Sequence, residues 1–324
     1  MKFNALLCST VGAFALFAGA PAIAQEVDTE AVEQTEEAEA TEAEEVSEAT
    51  EAVEAQPGVP ALWEVSDEDT TIYLFGTVHM LPEDIDWYSG PVRDAISSSG
   101  SLVTEIDMNP ELTASMGQLI AGKGMLTDGQ TLRSLMTDEQ RTTYEEGLAK
   151  VGIPAQAFDG MEPWLASIAL LQIVTQASGF SDDLGVEKVL EATVPEGTER
   201  VALETLEFQI SIFDELPVDQ QILFLLEGAE DPMAGIETLN QLVAEWSEGD
   251  VEELGNLMNE GMMAHPNLAE QLLYMRNENW AEWIDARMDD PGTVFIAVGA
   301  GHLAGERSVQ DYLSTRGITV NRVQ

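Results

Sequence analysis

Apolar and polar positions along the chain alternate at first, then take on a helical period, then return to short continuous runs. Residues 61–65 and 71–75 are two β-favouring segments, and the polar stretch 66–70 between them has turn chemistry, so a hairpin is expected. Residues 101–105 read as a further strand, after a helix that begins near Ser89, Gly90 and Pro91. From Leu112 to about Asp290 the apolar residues recur at helical spacing, with clear helices expected over 137–151, 161–176, 218–230 and 267–288. One strand, 200–204, interrupts this block. Residues 293–298 form an unbroken apolar run without helical period, the pattern of a strand buried on both faces. A helix over about 305–316 and a last strand over 318–323 complete the body. Strands at both ends with helices between them predict an α/β fold. Its central sheet is built from N- and C-terminal strand–helix halves, with a large helical insertion between them.

The first 58 residues follow other rules. Lys2 precedes an uncharged stretch, 3–23, rich in Ala, Leu and Phe, and Ala22 and Ala24 form a small-x-small pattern before Gln25. Residues 1–24 are therefore expected to be a signal peptide, giving a periplasmic or secreted protein with no stable membrane insertion after cleavage. Residues 26–55 carry 13 acids and no base. They have no apolar stripe to bury, and like charges four apart repel, so 25–58 is read as a disordered, acidic, low-complexity leader. The folded domain is then 59–324.

Charge narrows the function. The chain has 60 acids against 13 bases, a net charge of −47, and setting aside Lys2 and the leader still leaves 47 acids against 12 bases. Nucleic acid is excluded as a partner, because phosphate contacts need clustered Lys and Arg. The only cysteine, Cys8, lies in the expected signal. Disulfides and cysteine zinc sites are thus excluded, and any metal must be held by His and carboxylates.

Three histidines occur, and two share one setting. An apolar strand ends at Gly76 and His79 follows three residues later; another ends at Gly299 and His302 follows three residues later. Glycine permits a sharp turn at the carboxyl end of a strand, where α/β sheets bind ligands. If the two strands are neighbours, both imidazoles face one crevice. Glu105 and Glu204 end the strands 101–105 and 200–204, at the same edge. Two His with one or two carboxylates make a competent site for a divalent first-row metal, which activates water and polarises a carbonyl. Hydrogen-bonded structural histidines capping loops would show the same spacing. Gly299, Gly301 and Ala304 also approach a dinucleotide fingerprint, but no βαβ unit follows, so that reading is set aside. Arg276, a rare base, is expected to clamp a carboxylate, either within the protein or on substrate. His265, before Pro266, is read as a surface or capping residue. Trp164, Trp246, Trp280 and Trp283 are expected in the core.

The segment 75–79, Thr104 to Ile106, Ala202 to Thr205 with Gln209, Arg276 and Asn277 with Trp280, and 297–303 with Gly305 together resemble the TraB/GumN family, in order over 59–324. That family is similar to the Tiki metalloproteases, which use paired Gly-x-x-His motifs, a glutamate, and manganese or cobalt to cleave peptides. The resemblance implies His79 and His302 as metal ligands, with Glu105 at the acidic position after the first motif as ligand or base. By its strand-end position Glu204 is a further candidate ligand, and by its rarity Arg276 is expected as a catalytic clamp on a carboxylate or oxyanion. Zinc or iron would suit the same donor types. The expected activity is metal-dependent hydrolysis of a peptide or protein substrate. The alternative is a non-catalytic periplasmic binding or regulatory protein that uses the same histidines structurally.

Overall fold

The computed structural model describes residues 56–107, 110–262 and 265–324. The expected signal peptide and all but the end of the acidic leader lie outside the described residues. The chain runs through β1 (Gln56–Pro57), the hairpin of β2 (Leu62–Ser66) and β3 (Thr70–Thr77), and β4 (Ile85–Asp86), which pairs in parallel with β1. Helix α1 (Gly90–Ser98) leads to β5 (Ser101–Thr104). Helices α2 (Pro110–Lys123), α3 (Asp138–Lys150), α4 (Pro163–Ala177) and α5 (Val186–Thr193) precede β6 (Glu199–Ala202). Then come α6 (Leu206–Asp214), α7 (Val218–Glu230), α8 (Pro232–Glu248), α9 (Val251–Met262), α10 (Pro266–Ala269) and α11 (Met275–Arg287). The last elements are β7 (Gly292–Gly299), α12 (Val309–Thr315) and β8 (Asn321–Arg322).

Among the described residues, six strands form the central sheet in the order β6-β5-β7-β3-β2-β8. The four from β6 to β3 are mutually parallel, and β2 pairs antiparallel with both of its neighbours. The C-terminal strand β7 thus lies between β5 and β3, with Gly76 opposite Val298 and Thr77 opposite Gly299. This is the α/β fold expected from the pattern, with N- and C-terminal strands side by side and the helical stretch inserted between them.

Alternation along the strands divides the core. Ile72, Leu74, Val294, Ile296 and Val298 face one side, against Trp280, Ile284 and Leu313. Phe75, Leu102, Phe295 and Ala297 face the other, against the helical insertion. Successive side chains point to opposite faces, so an apolar run such as 293–298 is stable only when both faces are covered. Each fully buried Phe, Leu or Ile contributes about 1.5–3 kcal/mol. A separate cluster around Leu132, Tyr144, Leu148, Phe158 and Ile222 holds α3, α4 and α7 together.

Three expectations are adjusted. The helix expected from 305 starts at Val309, because Gly305 and Arg307 adopt left-handed backbone (φ 72° and 59°) before Ser308 caps it. The last strand shortens to Asn321–Arg322, paired with Trp63 and Glu64, while Ile318 and Val320 pack on the core. The helix over 267–288 is broken by a π-helical turn, Glu270–Tyr274, in which the Met275 amide reaches back five residues to the Glu270 carbonyl.

Candidate active site

The parallel strands deliver the candidate residues side by side. Reading across the sheet, Glu204 follows β6, Glu105 follows β5, His302 follows β7 and His79 follows β3. All lie beyond the carboxyl ends of neighbouring parallel strands, the edge where open α/β sheets bind ligands. The turn after β7 folds back on β3 so tightly that a side chain at Gly76 would meet the Ala300 backbone at 3.0 Å. Trp246 fixes the strand end from the other side, its indole donating to the Gly76 carbonyl at 2.8 Å.

Arg276, 1 % exposed on α11, is the centre of the arrangement. Its Nε donates to Glu204 Oε1 (2.8 Å), and Nη2 donates to Glu105 Oε2 (2.6 Å) and Glu204 Oε2 (2.9 Å). Its Nη1 donates to the Leu272 carbonyl (2.8 Å) and faces His302 Nε2 (3.2 Å). The five guanidinium N–H groups are thereby engaged. The carboxylates that Arg276 grips are the two at the strand ends. Burial works against its charge, but Glu105 and Glu204 hold its pKa above the usual arginine value.

Glu105 accepts from the Gly299 amide through Oε1 (2.8 Å) and from Gln209 through Oε2 (3.0 Å), besides Arg276. Burial alone would raise its pKa, yet Arg276, both histidines and the Gly299 amide hold it at about 2. Glu204 also accepts from Gln209 (3.0 Å) and the Trp280 indole (3.0 Å).

Both histidines are fixed through Nδ1. His302, fully buried, donates to Asn277 Oδ1 at 2.6 Å and lies against the Trp280 ring at 4.2 Å. The Asn277 amide donates to the Arg307 carbonyl (2.8 Å), so its oxygen must face the histidine. His302 Nε2 then looks towards Arg276 and Glu105, 3.8 Å from Glu105 Oε1. His79, 4 % exposed, has Nδ1 2.7 Å from Glu187 Oε1, and its buried Nε2 has no hydrogen-bond partner among the described residues. Burial lowers its pKa, but the charge and hydrogen bond of Glu187, with the charge of Glu105, raise it above the ordinary imidazole value, Arg276 opposing.

A model of the TraB/PrgY/gumN family matches residues 61–322. The chain belongs to the TraB/PrgY/gumN family. Among relatives of this family member is a protein of Escherichia coli K12 described as uncharacterized protein YbaP, 22 % identical over 246 residues, 74 % of this chain and 87 % of the relative. Its Shigella flexneri counterpart matches equally. Metalloprotease TIKI2 of Danio rerio is 25 % identical over 303 residues, covering 76 % of this chain and 57 % of the relative. No solved structure gives a significant match.

In this TraB/PrgY/gumN chain, Glu105, Glu204, Arg276 and His302 form one hydrogen-bonded network, and His79 borders it through the field of Glu105. His265 pairs instead with Glu227 at 2.8 Å. As the side chains stand, the described residues contain no group of three or more His, Asp and Glu gathered closely enough to hold an ion. The donor chemistry nevertheless fits a divalent metal at His79, His302 and Glu105. Both rings hold Nδ1 on a protein partner, Glu105 is ionised, and His79 Nε2 is buried with no partner among the described residues, whereas His302 Nε2 faces Arg276 Nη1, which an ion there would have to displace. Glu204 fits less well, since Arg276, Trp280 and Gln209 already occupy both of its oxygens. Glu187 was not singled out from the sequence. One acid among 60, it lies in a helical stretch and carries no local signal.

Proposed function

We propose that this chain is an exported hydrolase of peptide or protein substrates, with a divalent metal ion held by His79, His302 and Glu105. The observation that carries the reading is the buried Nε2 of His79, which has no partner among the described residues and lies in the field of the ionised Glu105. A buried polar atom without a partner costs about 1–3 kcal/mol, a cost that a bound cation would offset. When bound, a divalent ion supplies Lewis acidity, polarising a carbonyl and making water a nucleophile near neutral pH. Manganese and cobalt are the ions of choice, with zinc and iron as competitors.

The chain's own groups divide the remaining work. Glu105, held at about 2, is too weak a base to take a proton near neutral pH and belongs in the ligand set. Arg276 keeps Glu105 ionised and orients both Glu105 and Glu204; with its donors engaged, it acts as a positioning residue. Trp280 shields one face of His302 from water. The acidic chain favours basic or unfolded peptides over acidic ones. Export makes residues 1–24 a cleaved signal, so the mature protein should begin at Gln25.

The test combines ion binding with turnover on protein starting near Pro57. Manganese, cobalt, zinc and iron are titrated separately, and a peptide library is screened with and without chelator. Near-stoichiometric binding and chelator-sensitive cleavage, both lost in folded His79→Ala and His302→Ala variants, are expected. No ion binding and no cleavage would leave the second reading, a non-catalytic binding protein. The closed bonding of Arg276 with Glu105 and Glu204 favours that reading.

A further inference from the structure

We infer that Glu187 is the positioning residue of His79, keeping the ring proton on Nδ1 so that Nε2 presents its lone pair to a bound cation. The inference rests on the metal-site reading above but can be decided separately from it.

The local fold delivers Glu187 to this contact. Residues 181–188 lie as a strap across the exit of β3. Ser181 and Leu81 exchange backbone hydrogen bonds at 2.9 and 3.1 Å, and the Val186 amide donates to the Val78 carbonyl at 3.0 Å. Gly185 packs so closely on the His79 backbone that a Cβ there would lie 2.1 Å from the His79 carbonyl oxygen. Lys188 ties the strap internally to Asp182 at 2.6 Å. Glu187 follows in the first turn of α5, its side chain only 13 % exposed, and ends 2.7 Å from Nδ1.

Two features separate this from a simple docking ion pair. A carboxylate gains little by leaving water for a surface partner, and here both partners are withdrawn from solvent. The far nitrogen of the ring is also buried, with no partner among the described residues, so the dyad aims a reactive atom inward. A carboxylate on one imidazole nitrogen fixes the tautomer, orients the ring and raises the basicity of the other nitrogen; losing such a partner costs about 10- to 100-fold in metal affinity.

The experiment compares wild type, Glu187→Ala and Glu187→Asp, with Glu191→Ala as a control on the same helix. The His79 tautomer is read from imidazole ¹⁵N shifts in metal-free protein at alkaline pH, and Mn²⁺ affinity by calorimetry. Wild type and Glu191→Ala should carry the proton on Nδ1. Glu187→Ala should move it largely to Nε2 and weaken Mn²⁺ about 10- to 100-fold. Glu187→Asp, which keeps the charge but shortens the reach, should shift the same way, and it decides the matter if the alanine variant fails to fold. A Glu187→Asp protein with wild-type tautomer and wild-type affinity would overturn the inference. If wild type binds no Mn²⁺, the metal reading falls, while the tautomer alone still decides the role of Glu187.

Discussion

Asn277 Oδ1 accepts the Nδ1 proton of His302 at 2.6 Å, and this contact leaves Nε2 as the nitrogen that faces Glu105. Asn277→Ala would strand a donor on a fully buried ring. We expect a loss of about 1–3 kcal/mol in urea unfolding. Asn277→Asp retains an acceptor and should keep the Nδ1 tautomer in ¹⁵N spectra, at the expense of the bond to the Arg307 carbonyl. An alanine variant as stable as wild type would remove Asn277 from this role.

Arg276 is the guanidinium shared by Glu105 and Glu204, all three nearly withdrawn from solvent. Arg276→Met should destabilise the protein by about 3–5 kcal/mol, because two carboxylates lose their buried counter-charge. Arg276→Lys should recover only part of this, since an ammonium cannot reproduce the fork. Chemical denaturation of both variants checks the order, and equal stability of the Lys variant and wild type would contradict it.

Stability should fall in acid through Glu105. Its folded pKa, about 2, lies below its ordinary 4.5, so the unfolded chain takes up a proton first as pH drops. The contribution is complete above pH 4.5 and disappears as pH falls towards about 2. Unfolding free energies of metal-free wild type and Glu105→Gln, measured across that window, should converge at the acid end. A constant gap would refute the assignment.

Two glycines test whether steric damage at the site can be told from damage elsewhere. A Cβ at Gly185 would lie 2.1 Å from the His79 carbonyl oxygen, and one at Gly147 would lie 1.7 Å from the Ala229 carbonyl oxygen. Each change to Ala should cost about 1–3 kcal/mol by overpacking. Only Gly185→Ala should also disturb the His79 ring in ¹⁵N spectra. Matching spectral changes in both variants would mean that the helical insertion and the site are coupled.

Much of this was legible in the sequence because strand chemistry is local. The run 293–298 could only be a covered strand, and the glycines before His79 and His302 marked matching strand ends. That β7 would lie directly beside β3 required pairing across more than 200 residues, which periodicity does not encode. Glu105 and Glu204 were visible because they end strands. Glu187 was not, because it reaches His79 through the docking of the strap, and nothing in residues 181–188 distinguishes its carboxylate from its many neighbours. The demands on Arg276 were half legible: rarity suggested a clamp, while its partners emerged only from the sheet order.

The π-helical turn at Glu270–Tyr274 acts as a phase shifter. One extra residue in a turn rotates everything downstream by about 100° relative to an uninterrupted α-helix. That rotation sets the azimuth of α11, on which Arg276, Asn277 and Trp280 present their polar ends to Glu204, Glu105 and His302. The same turn supplies the Leu272 carbonyl that takes the remaining guanidinium donor. The angular alignment of three network side chains is therefore written in the pitch of a single turn, some distance along the chain from any strand end.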